Sequence, residues 1–143
     1  MLATSAVNDS AKSSTSSAPV EADIWKTAGT TVYFFNQLRG LQVIDLSDPA
    51  QPSLISTMRL PAVGQDLYIL PESGSDLHAI LLTRDADDWS STVVQLVRIT
   101  SGKPSIVASR KVAGWLTDSR MAGNNLYLAT QNWSSVNGTW SEQ

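Results

Sequence analysis

The chain has 143 residues, a hydrophobic fraction of 42% and a net charge of -3, from 10 Lys+Arg against 13 Asp+Glu. This is one domain's worth of sequence with enough apolar content for a packed core; no Lys/Arg cluster offers the row of cations that a phosphate backbone needs, so nucleic acid is not an expected partner. Zero cysteines exclude disulfides, thiolate nucleophiles and Cys-type zinc sites, and no apolar run approaches the roughly 20 residues of a helical bilayer span, so no transmembrane segment is expected.

Residues 1–20 are dominated by Ser, Thr and Ala, with few large apolar side chains to offset the entropy of ordering. They read as a disordered tail or linker, and "MLATSAVNDSAKSS" has neither the basic nor the apolar region of a signal peptide. From residue 21 the pattern changes to short runs of Val, Ile, Leu, Thr and Tyr divided by Gly, Pro, Asn, Asp and Ser clusters. Such spacing predicts strands joined by tight turns. The expected strands cover residues 23–27, 31–35, 41–46 and 54–60, then 67–70, 77–83, 93–99 and 105–112, then 117–121 and 126–130. No stretch holds a helical period with caps, so no α-helix is expected.

The strands recur as a unit at an interval of roughly fifty residues. Gly29, Gly74 and Gly123 each precede an aliphatic residue and then an aromatic or His: Val32-Tyr33, Leu77-His78 and Leu126-Tyr127. Gln42-Val43-Ile44-Asp45-Leu46-Ser47 aligns with Gln95-Leu96-Val97-Arg98-Ile99-Thr100, and Pro52-Ser53-Leu54-Ile55 with Pro104-Ser105-Ile106-Val107. Four short strands repeated in this way suit a propeller blade better than an immunoglobulin-type sandwich. Leu41 and Val43 alternate with Ile44 and Leu46, so that strand is apolar on both faces, as a sheet wedged between two neighbours requires. The expected fold is an all-β partial β-propeller: two four-stranded antiparallel blades, about 22–61 and 62–113, plus the start of a third at 114–143. Propellers close with about four to eight blades, so the remaining blades are expected from a longer chain or from other copies.

Glu21-Ala22-Asp23-Ile24-Trp25-Lys26-Thr27 and Asp118-Ser119-Arg120-Met121, with Gly123, Leu126, Tyr127 and Thr130, resemble phrases of a family of secreted bacterial β-propeller proteins. Gly40-Leu41, Val43, Asp45, Ser47-Asp48-Pro49 and Pro52 also resemble the LVIVD-type repeat of bacterial surface propellers. Trp25 and Ala28 depart from the family pattern, which puts in doubt only what the first strand lines. The resemblance implies a secreted or cell-envelope bacterial protein with a longer chain and a signal peptide upstream. It brings no shared catalytic motif that maps onto this chain.

Residues that carry chemistry are sparse. His78 is the one histidine and takes the slot of Tyr33 and Tyr127, which reads as packing; no Cys or "GxSxG" elbow supports a nucleophile. In "RDADDWSS", Asp85, Asp87 and Asp88 are weak candidates for a calcium site, weighed against a solvated hairpin tip. No cofactor is expected apart from this candidate calcium. "NWS" at Asn132 and "NGT" at Asn137 match the glycosylation pattern but read as loop residues for a bacterial source.

Blade geometry places the loops between second and third strands on the same side as the loops that join blades. Trp89, Trp133 and Trp140 then fall in loops of the first kind, and Trp115 in one of the second kind. Asp66, Asp118 and Arg120 stand near them at the entry of inner strands. Rings beside a few carboxylates and an Arg suit glycan or peptide recognition by stacking and directed hydrogen bonds; the alternative is that they seal the blade junctions. The expected function is a non-catalytic recognition scaffold for a glycan, peptide or protein ligand. Its alternatives are a hydrolase or lyase with Asp66 and Asp118 in a channel-mouth site completed by other blades, and a purely structural surface module.

Overall fold

The computed structural model describes residues 20–21, 24–60, 63–70, 76–136 and 139–142. The expected tail up to residue 19, Gly74 of the second turn, and Asn137 lie outside the described residues. Among the described residues all regular structure is strand. In chain order the strands are β1 (Val20–Glu21), β2 (Trp25–Ala28), β3 (Thr31–Asn36), β4 (Gly40–Asp45) and β5 (Ser53–Met58). Then come β6 (Val63–Ile69), β7 (Leu77–Arg84), β8 (Ser91–Thr100) and β9 (Lys103–Ala113), and finally β10 (Trp115–Ala122), β11 (Asn125–Gln131), β12 (Trp133–Val136) and β13 (Thr139–Glu142).

Two sheets have four strands each, in the orders β2-β3-β4-β5 and β6-β7-β8-β9, and every pairing in them is antiparallel. They are the two blades expected from the repeat, and β10-β11 begin a third. Alternation explains how each sheet finds its neighbour, because successive residues of a strand point to opposite faces. Tyr33, Phe35, Leu41 and Val43 of the first sheet form one buried cluster with Leu67, Leu77, Ala79, Leu81, Val97 and Ile99 of the second. The residues next in sequence, Tyr68 and Leu82, point the other way and pack with Met121 of the third sheet, flanked by Leu116, Leu126 and Leu128. The second sheet is thus buried on both faces. At about 1.5–3 kcal/mol for each large apolar side chain removed from water, these two junctions dominate the stability.

Contacts at the blade edges fix how the first two sheets meet. A Cβ on Gly64 would lie 2.7 Å from the Phe35 ring, so glycine makes room for that aromatic. At the outer edge, the Ser56 hydroxyl donates to the Gly102 carbonyl at 2.6 Å.

Three features differ from the sequence reading. Val20 and Glu21 pair antiparallel with Met121 and Arg120, so the third sheet has the order β1-β10-β11 and includes Val20, a residue of the expected tail. Trp115 opens β10 instead of lying in a loop, because Gly114 alone separates β9 from β10 and takes φ of 87°, a value that lets the chain turn sharply. Residues expected to form a loop carrying Trp133 and Trp140 instead build a separate β12-β13 hairpin, in register Val136↔Thr139.

Candidate functional site

The segment joining β7 to β8 is held by its own carboxylates. Asp85 Oδ1 accepts the backbone N–H groups of Asp87 at 2.9 Å and Asp88 at 3.0 Å, and Asp88 accepts the Ser90 N–H and the hydroxyls of Ser90 and Ser91. Such local bonds are how Asp and Ser shape turns. Lys111 of β9 reaches Oδ2 of both, 3.0 Å to Asp85 and 3.2 Å to Asp88, where it shares the oxygen with the Ser91 hydroxyl. An ammonium therefore stands against the two carboxylates that the sequence offered to calcium. Asp85 is held below the ordinary carboxylate range, first by Lys111 and then by the two N–H groups; Asp88 is held well below it, first by the Ser90 and Ser91 hydroxyls. Asp87 is exposed.

Arg84, at the end of β7, joins two of the expected tryptophans. Its guanidinium carbon lies 5.4 Å from the ring centroid of Trp89 and 5.4 Å from that of Trp115, within cation–π range of both. Trp115 is half-buried, and its indole N–H donates to Gln131 Oε1 at 2.8 Å. Trp89 remains 58% exposed. The outcome is an indole presented to solvent beside Arg84, whose other aromatic partner, Trp115, is tied to Gln131. The sequence reading named the two rings but missed Arg84; an Arg directly before the loop was the available signal. Nε of Arg84 is buried with no acceptor among the described residues. Trp133 and Trp140 are placed by backbone register alone, opposite Glu142 and Ser135.

Asp66 and Asp118 occupy matching places, each immediately after a bulge in the first strand of its sheet. Their side chains do different work. Asp66 Oδ2 accepts the Ser119 hydroxyl at 2.8 Å, and the same Ser119 oxygen lies 2.7 Å from the Tyr68 hydroxyl. Asp66 thus belongs to the junction between the second and third sheets. Burial pushes the Tyr68 phenol above its ordinary value, which keeps that hydroxyl protonated. Asp118 instead pairs with Arg120 at 3.0 Å, and both line a groove of about 170 Å³ with Tyr127 and Ala129. His78 lies half-buried in β7 opposite Arg98.

Residues 20–142 match the family model described as a beta propeller domain. No curated protein and no solved structure matches the chain.

Proposed function

Because the chain belongs to the β-propeller domain family, a fold that points to interaction through a rigid scaffold, we propose that it is a non-catalytic recognition module for a glycan or peptide ligand. The observation that carries this reading is the exposed Trp89 indole, stacked with Arg84 and backed by Trp115. A ring held in one orientation loses little entropy when a sugar or peptide plane stacks on it. The family resemblance supports a secreted or envelope-associated bacterial protein, where such ligands are at hand.

The test is affinity electrophoresis of the protein in gels containing soluble polysaccharides, beside binding to a peptide array, for the parent chain and Trp89→Ala. Retention that falls at least ten-fold in the variant, with an unchanged melting temperature, supports the reading. A large fall in melting temperature assigns Trp89 to packing, and retention by no probe overturns the proposal.

A further inference from the structure

Lys111 in the second blade has a counterpart in the first. The repeat aligns Arg59-Leu60 with Lys111-Val112, and the β3–β4 turn carrying Arg39 with the β7–β8 segment carrying Asp85 and Asp88. In the second blade the cation meets two carboxylates. In the first it shares a groove with another cation, and the turn reads Gln37-Leu38-Arg39 and holds no acid.

The backbone holds these two arginines together. Asn36 Oδ1 accepts the N–H groups of Leu38 at 2.8 Å and Arg39 at 3.2 Å, fixing the turn. Gly40, at φ of 80°, then lets the chain run so close to the β5 end that a Cβ there would strike the Met58 carbonyl and lie 3.0 Å from Arg59 Cα. Arg39 and Arg59 line one groove of about 490 Å³ with Gln42 and Thr57, which pair across β4 and β5. Neither guanidinium has an acceptor or a carboxylate partner among the described residues. Cations that line one groove repel each other, and an oxyanion bound between them offsets that cost. Guanidinium groups suit this because their planar forks meet carboxylate and sulfate oxygens two at a time.

We infer that the Arg39–Arg59 groove binds the charged groups of an acidic polysaccharide, uronate carboxylates or sulfate esters. The remaining lining favours a sugar over a peptide or lipid: Gln42 and Thr57 offer an amide and a hydroxyl for sugar hydroxyls, and among the described residues no large apolar side chain lines the groove. With a net charge of -3, the chain as a whole does not attract polyanions, so retention by one reports a local site. The inference names the ligand chemistry of the recognition scaffold proposed above and rests on that reading, but through a groove on the first blade.

The experiment compares retention of the full chain in gels containing polygalacturonate, dextran sulfate or neutral dextran, with poly-L-glutamate as a soluble competitor. The expected result is retention by one or both acidic polysaccharides and not by dextran, weakened as salt rises. Arg39→Gln with Arg59→Gln lowers affinity at least ten-fold at unchanged melting temperature, and the double Lys variant falls between. Which acidic gel retains the chain tells carboxylate from sulfate. Retention unaltered by the double Gln variant, or competition by poly-L-glutamate as strong as by free polysaccharide, overturns the assignment. Trp89-dependent binding of neutral dextran that ignores both arginines leaves the scaffold reading standing and overturns this one; no retention by any probe overturns both.

Discussion

The hydroxyl oxygens of Tyr68 and Ser119 lie 2.7 Å apart, a buried bond across the junction of the second and third sheets, and Asp66 accepts the Ser119 proton at 2.8 Å. One serine therefore ties two residues of the preceding blade to the next. Buried polar groups cost most when a partner is removed.

Tyr68→Phe is expected to cost about 1 kcal/mol, the usual net worth of one such bond, and Ser119→Ala about 1–3 kcal/mol because it leaves both the phenol and the carboxylate short of a partner. Urea unfolding of both single variants and the double variant gives their coupling. A coupling below about 0.5 kcal/mol shows that the Tyr68 and Ser119 hydroxyls do not act together.

The same repeat position carries a tyrosine in the first and third sheets with different surroundings. Tyr33 is 6% exposed in the core between blades, whereas Tyr127 is 60% exposed. Tyr33→Ser is expected to destabilise by about 3 kcal/mol or more, as for large core truncations, and Tyr127→Ser by less than about 1 kcal/mol. Equal effects in thermal melts contradict the burial of one face and the exposure of the other.

Acid lowers the stability of the β7–β8 segment. Asp85 and Asp88 have lowered values in the folded chain, so their contribution is complete above the ordinary carboxylate value of about 4 and is lost as pH falls through the folded values. Lys111 is shifted up, chiefly by Asp85 and then Asp88, so its contribution holds below the ordinary lysine value and is lost only as pH rises through the raised one. Melting temperatures between pH 6 and pH 2 are expected to fall less steeply for Asp88→Asn than for the parent. Parallel curves rule out a role for this carboxylate in acid sensitivity.

Gly40→Ala meets two obstacles: φ of 80° and the Met58 carbonyl, which is backbone and does not move aside cheaply. A loss of about 2 kcal/mol or more is expected. Gly64→Ala presses only on the Phe35 ring, 2.7 Å from the added carbon, and is expected to cost about 1–3 kcal/mol as local overpacking. Unfolding free energies of the two variants check the order, with Gly40→Ala the more severe.

The strands from β2 to β11 and their grouping in fours were legible in the sequence, because alternation and turn chemistry act between near neighbours; two-faced burial was expected of the strand carrying Leu41 and Ile44 in the first blade, and the structure shows it in the second. Leu67 and Tyr68, or Leu81 and Leu82, must face opposite ways whatever else the chain does. Partnerships between strands far apart in sequence depended on the tertiary structure. Register and blade packing bring Ser119 to Asp66 and Tyr68, set Arg84 against Trp89 and Trp115, and place β1 beside β10. The single-residue link at Gly114 moved Trp115 from a loop into a strand, and β12 pairs with β13 as a hairpin where a loop was expected. A local pattern specifies which face a side chain takes; which distant group it meets there depends on register and on the packing of sheet against sheet.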